Sequence, residues 1–351
     1  MSGERLAGIG GASPYKKDAT SVAAKTASPQ TLILSDQSWQ ARLQAHQAPA
    51  STPDRQCRAG RLRSSEWLLL AYFTYASVFS ALSSLRPGAL VWRGGPTLAG
   101  AALVFVLARA ESRTGSRFFS IVRDWLPAPL VLVAYWAVDW FLPPVPRQGW
   151  EHTWIYLDRL LLNGWGGRAA IESCGPVLPF LLELCYSLVY AIPPVAIGLL
   201  YVLGRRARVD RFLFTLLLGT LTTYALLPHF PSVGPRLLFT GEDLPAFSTV
   251  FRSLNLWLLD HFDIRASIFP SGHVTVGFSA AFAMLLALPE KRRVGWVLGA
   301  LATAVAIATV YGRYHYAADG LAGLGVSLLA CAASARLHPA LRPTVLGRRR
   351  A

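Results

Sequence analysis

The chain alternates long apolar runs with short, arginine-rich connections. Eight runs come near the roughly 20 residues that a helix needs to cross a bilayer. They lie at about 66–85, 95–109, 125–142, 178–203, 211–229, 272–289, 294–312 and 318–337. A helix of a soluble bundle keeps one polar face, and most of these runs have none. The second run is short and interrupted by Gly95, Pro96 and Gly100, which makes it the least regular of the set. The expected fold class is all-α: a polytopic membrane helix bundle of about eight spans. Two connections are long. Residues 143–177 hold Trp150, Trp154, Trp165 and the amphipathic stretch from Ile155 to Leu162, as a helix lying in the membrane interface would. An ordinary aromatic belt would show the same tryptophans. Residues 230–270 form the second long connection. Residues 1–60 are rich in Ala, Ser, Gln, Pro and Thr, and Leu32, Ile33 and Leu34 are their only apolar cluster. That is too short for a signal-peptide core and reads as a disordered cytoplasmic tail.

Composition agrees with the pattern. Of 351 residues, 53% are hydrophobic and 15% charged, where a soluble chain carries about 25% charged. The net charge of +15 would suggest nucleic acid on a soluble protein. Here the positive residues sit at the ends of the runs, so they set orientation instead. One set of connections, including Arg63, Arg123, Arg206, Arg293 and Arg336, holds twenty Lys and Arg; the alternate set, including Arg86, Arg159, Arg236 and Arg313, holds nine. That asymmetry predicts both termini in the cytoplasm and places Arg236, His273, His315 and Asp319 together at the outer face. Arginine far outnumbers lysine, as in a GC-rich genome, and a bacterial inner membrane is the expected location. The four cysteines form no framework and no metal-ligand spacing.

Two stretches carry chemistry. In Arg313-Tyr314-His315-Tyr316-Ala317-Ala318-Asp319 the carboxylate lies four residues beyond the histidine, on the same face of a helical stretch. Asp319 can accept the Nδ1–H of His315 and leave its other ring nitrogen free to attack. In Phe269-Pro270-Ser271-Gly272-His273 a helix begins at a histidine. The unpaired N–H groups of such a start, with Ser271 and Gly272, make a phosphate cradle. One histidine to attack, one to protonate a leaving group and a cradle between them describe a phosphoryl-transfer site. Asp139 and Glu183 fall within apolar runs, where a carboxylate is costly, and should face the bundle interior or a wet cavity. His152, His261 and His338 have no companions and read as surface residues.

These residues resemble the type 2 phosphatidic acid phosphatase superfamily. Its second signature, Pro-Ser-Gly-His, is matched in full by Pro270, Ser271, Gly272 and His273. Its third ends in a histidine, three residues and an aspartate, matched by His315 and Asp319. Its first signature, a lysine, six residues and Arg-Pro, is altered here. Arg236 follows Pro235 instead of preceding a proline, and His229 stands at the lysine position. The usual arginine of the third signature is replaced by Thr309, and Arg313 is the nearest substitute. The Pro-Arg order, Thr309-Val310-Tyr311, Arg313, the run Leu157-Asp158-Arg159, and Glu183 with Tyr186 and Tyr190 resemble the inositol phosphorylceramide synthase branch. The resemblance covers about residues 120–337. It implies a six-span catalytic core at 121–338 with two added spans at 61–120 in front, and composition adds the disordered tail at 1–60 and a basic tail at 339–351.

The resemblance implies His315 as nucleophile, Asp319 as its orienting partner and His273 as acid and then base. Arg236, Arg313, Ser271, Gly272 and His229 are the phosphate-binding candidates. No metal or cofactor is called for, because the cluster lacks a third histidine or added carboxylates. The partners implied are a membrane, a phospholipid donor, and a lipid hydroxyl or water as acceptor. A lipid hydroxyl gives a headgroup transferase. Water gives a phosphatase acting on phosphatidate or a polyprenyl pyrophosphate. A transporter would show inverted repeats and paired broken helices, which the sequence does not display.

Overall fold

In lipid, only a helix satisfies its own backbone N–H and C=O groups within one segment, and the apolar runs fold accordingly. The computed structural model describes residues 61–83, 89–140, 142, 149–239, 241, 243–264 and 268–337. The expected tails at 1–60 and 339–351 lie outside them. The first two runs form α1 (Ser64–Ser83) and α2 (Ala89–Thr114). The third comprises α3 (Arg117–Trp125) and α4 (Pro127–Val138), which meet at Leu126 where Pro127 lacks an N–H. The long connection after it holds α5 (Trp150–Arg159) and α6 (Gly167–Glu172), joined through a π-helical turn. Then come α7 (Val177–Leu188), α8 (Ile192–Val202) and α9 (Val209–Leu226). The second long connection contains α10 (Pro235–Leu238) and α11 (Val250–Phe262). The chain closes with α12 (Gly272–Ala287), α13 (Arg292–Tyr311) and α14 (Ala317–Leu337). No strand occurs among the described residues.

Each apolar run forms helix over most of its described residues, and the protein is an all-α polytopic membrane bundle. Among the described residues, five stretches are long and apolar enough to cross a membrane: Arg117–Val138, Val177–Val202, Arg206–His229, Pro289–Tyr311 and Ala317–Leu337. Gly272–Ala287 is apolar but shorter. α1 and α2 also have the length, at 20 and 26 residues. The Arg206–His229 stretch is 72% buried against 28–39% for the other four, so α9 is the hub and the others leave faces to lipid.

Helices in lipid associate through close packing and polar contacts, since lipid tails are as apolar as the helices themselves. α9, α12 and α14 show both. Thr223 bonds Thr275 (3.0 Å), Ser279 bonds Ser327 (3.1 Å) and Thr215 bonds Ser334 (2.6 Å). A Cβ at Gly277 would come within 3.0 Å of Ala302, so α12 and α13 approach closely there.

The second run's helix extends past 95–109 at both ends, and the start of the third differs from the sequence expectation for a physical reason. The third helical stretch starts at Arg117 instead of near 125, because the charges that end the apolar run are neutralised inside the bundle. Arg123 is buried against Glu66 (2.7 and 2.5 Å) and also pairs with Glu111. Asp124 takes Arg63 and Arg206, each at 2.6 Å, and the Tyr201 hydroxyl. This ionic cluster gathers the ends of α1, α2, α3 and α8. Nearby, Arg208 donates to the Ala287 carbonyl (2.8 Å) at the C-terminus of α12. The N-terminus of α12, which carries His273, is therefore about 24 Å away at 1.5 Å per residue.

Candidate active site

At that far end, three short pieces of backbone meet. The Ser271 N–H donates to the Asp319 carbonyl (3.0 Å), which sets the starts of α12 and α14 side by side. Gly323 allows this: a Cβ there would lie 2.8 Å from the Ser271 carbonyl oxygen and 3.0 Å from Thr275 Oγ1. Ser271 caps α12 through Val274 N–H at 3.4 Å, a long contact. The first N–H groups of the helix have no partner within it.

The third piece is the loop at 312–316. α13 stops at Tyr311, and the N–H groups of Tyr314 and His315 both donate to the Thr309 carbonyl (2.9 and 3.1 Å). Arg313 has φ +65°, a left-handed conformation that is costly for a side-chain-bearing residue. A continuing helix would set Arg313 about 200° from His315; the loop removes that constraint. Asp319 then reaches back to accept the Tyr316 N–H (2.9 Å), the acidic half of a capping box. Its Oδ2 also lies 3.4 Å from His315 Nδ1, the separation of an ion pair without the alignment of a hydrogen bond. Asp319 thus starts the helix and faces the histidine.

The two histidines come together here. Their rings are 5.7 Å apart, edge to face. His273 stacks on Tyr186 (4.8 Å), which packs on Tyr314 (4.4 Å). The Tyr190 hydroxyl lies 2.9 Å from His273 Nε2. Tyr190 reaches it from a 3₁₀ turn between α7 and α8, ahead of Pro193 and Pro194, where continuous α-helix cannot persist.

Two buried carboxylates hold the loop. Asp158 of α5, fully buried, accepts Arg313 Nη1 at 2.9 Å on one oxygen and the Ala317 N–H at 2.9 Å on the other. Burial pushes the Asp158 carboxyl up to about 6, against the pull of Ala317 and Arg313. Glu183 accepts from Tyr314 Oη (2.6 Å), Asn255 Nδ2 (2.8 Å) and Arg252 Nη1 (3.0 Å). Arg252 also donates to the Gly312 carbonyl (3.2 Å). Trp154 of α5 stacks on Phe269 (5.1 Å), so the predicted interfacial helix lies against the site.

Folded proteins leave few buried polar atoms unpaired. Among the described residues, six atoms without a hydrogen-bond partner fall in this one region: Tyr186 Oη, Arg313 Nε and Nη2, His315 Nδ1, Tyr316 Oη and Asp319 Oδ1. Two are guanidinium N–H donors and two are hydroxyls, a set suited to an anionic, oxygen-rich group.

The profile of the PAP2 superfamily matches residues 153–333, from α5 to near the end of α14. The chain belongs to the PAP2 superfamily. It is also 32% identical, over 105 residues, to a PA-phosphatase related-family protein of Dictyostelium discoideum. That match covers 28% of this chain and 18% of the relative, so the chain spans less than a fifth of the relative's length. No solved structure matches the chain.

Within this PAP2 site the sequence candidates fall into three groups. His273, His315, Asp319, Ser271 and Gly272 are brought together. Arg313 is in the same loop, 1% exposed, with one edge on Asp158. Arg236 and His229 are engaged elsewhere. Arg236 pairs with Asp260 and, at 3.6 Å, with Asp263. Burial raises the Asp263 carboxyl, while Tyr135, His315 and Arg236 pull it back, so Arg236 and His315 act on the same group. His229 lies 3.1 Å from the Tyr75 hydroxyl and edge-on to Phe79 of α1. Glu183 is in the interior, paired as described, and Asp139 is half-buried at the end of α4. Sequence reasoning assigned no partner to Asp158 or Tyr190. Their partners are 155 and 83 residues away, and no local spacing could reveal them.

Proposed function

We propose that this protein is a membrane-embedded phosphotransferase acting on lipid phosphate headgroups through a phosphohistidine. The carrying observation is the cluster of unpaired donors around two histidines in ring contact. His315, with Nδ1 against Asp319, attacks phosphorus through Nε2 and forms a P–N bond. The bond from phosphorus to the leaving oxygen breaks, and His273 gives that oxygen a proton. His273, now a base, takes the proton of the acceptor hydroxyl, whose oxygen attacks phosphorus and releases His315. Arg313, the first N–H groups of α12 and the Ser271 hydroxyl hold the phosphoryl oxygens. Arg236 joins them once it exchanges Asp260 for phosphate, and His229 has the remotest part.

The acceptor is a lipid hydroxyl and the transferred group is of the inositol-phosphate type. Supporting this are the Pro235-Arg236 order, Arg313 two residues before the nucleophile, and the placement of Asp158 and Glu183 around the loop. The second reading, a lipid phosphate phosphatase with water as acceptor, is favoured by the PA-phosphatase name of the Dictyostelium relative. In either case we place the site at the outer face of a bacterial inner membrane, with eight spans and both termini cytoplasmic. The arginine asymmetry supports that orientation, as does the separation of the ionic cluster from the histidines.

Purified protein in mixed micelles with headgroup-labelled phosphatidylinositol and ceramide tests the choice. Thin-layer separation should show label moving into a new sphingolipid. Phosphate released from phosphatidate, with no label in ceramide, would favour the phosphatase. Neither product would refute both.

A further inference from the structure

The loop that carries the nucleophile is tied to a helix far from it in sequence. Both oxygens of Asp158 are committed, one to Arg313 and one to the N–H of Ala317, the first residue of α14. Asp158 and Arg313 are 0% and 1% exposed, so their ion pair is not shared with bulk solvent. Between the two contacts lie Tyr314, His315 and Tyr316. The carboxylate therefore spans the nucleophile, clamping the backbone on one side of it and the Arg313 side chain on the other. Arg313 keeps Nε and Nη2 without a hydrogen-bond partner, its guanidinium lying over the Phe239 ring at 5.5 Å. A guanidinium held by one edge presents the other in a fixed direction.

We infer that Asp158 is a positioning residue for phosphoryl transfer, acting through Arg313 and the His315 loop from outside the membrane-spanning core. This rests on the reading of His315 as nucleophile. It assigns a mechanistic part to the amphipathic connection, which is otherwise an interfacial anchor. Aligning the attacking nitrogen and the phosphate-holding guanidinium together is the kind of contribution whose loss costs up to about 100-fold in rate.

The carboxylate also titrates where its effect can be read. The groups facing it are Arg313 from the loop, Asp319 and the Ala317 N–H from α14, and the nearby Tyr316. Its carboxyl stands at about 6. Ionised Asp158 pairs with Arg313; protonated, it resembles an asparagine.

The test uses the full-length protein in mixed micelles with labelled phosphatidylinositol or phosphatidate, whichever it turns over. Asp158→Asn should lower kcat roughly 10- to 100-fold at pH 7.5 with little change in KM. The gap from wild type should close as the pH falls to 5, because both then carry a neutral group. Added to Arg313→Gln, Asp158→Asn should cause little further loss. Wild-type kcat in Asp158→Asn at pH 7.5, a gap unchanged by pH, or losses that multiply in the double variant would each overturn the inference. If Asp158→Asn is not recovered folded, Asp158→Glu keeps the charge but displaces it by a methylene. A reduced kcat is then expected, and an unchanged one overturns the inference. Turnover that survives His315→Ala removes the underlying reading and the inference with it; loss in His315→Ala with Asp158→Asn unaffected removes the inference alone.

Discussion

Asp319 does two jobs with one oxygen, accepting the Tyr316 N–H and facing His315 Nδ1. Asparagine keeps the first job, since its amide oxygen can still cap the helix, and loses the charge that faces the imidazole. Asp319→Asn is therefore expected to fold, with a thermal midpoint near wild type, while kcat falls roughly 100- to 10,000-fold, the scale of orienting carboxylates. Circular dichroism melts and turnover on the same preparation check both halves; an equal loss of fold and rate would make Asp319 only a cap. His273 is separable by leaving group. His273→Ala should slow lipids with poorly acidic leaving alcohols far more than p-nitrophenyl-type esters, which need no proton. These residues were legible in the sequence because the chemistry fixes their spacing: four residues from His315 to Asp319, and a histidine at a helix start. Tyr190, Asp158 and the partners of Glu183 were not. Each meets its partner across 69 to 155 residues, and a hydrogen bond of that span leaves no local pattern.

The elements hold the site by close approach at small residues and by buried polar ties. Gly323 is the clearest case, because any Cβ would press on the backbone of Ser271. Gly323→Ala must push α14 from α12, at about 1–3 kcal/mol by the usual cost of overpacking. It should also lower turnover, since the same contact sets the starts of the two helices that carry the candidate site. A melt and a rate assay decide it; wild-type values for both would mean that α14 does not register the site. Apolar runs revealed the existence of the helices but misplaced their ends. Arg123 and Asp124 end a run on paper and are interior in the fold, because Glu66, Glu111 and Arg63 neutralise them. The break between α7 and α8 was written in Pro193 and Pro194, yet its purpose, delivering Tyr190 to His273, appears only in three dimensions.

Across the whole molecule, the bundle separates two polar regions by the length of α12. The ionic cluster ties the ends of α1, α2, α3 and α8 at one end, and the histidine site occupies the other. The central claim is that phosphorus passes through His315. It is tested most directly by mixing the protein with lipid carrying ³²P in its phosphate, quenching in alkaline detergent and locating protein-bound label. We predict label on the wild-type chain that survives alkali, is released by acid and maps to His315, and that is absent from His315→Ala. Turnover with no protein-bound label, or label that persists in His315→Ala, would contradict the account.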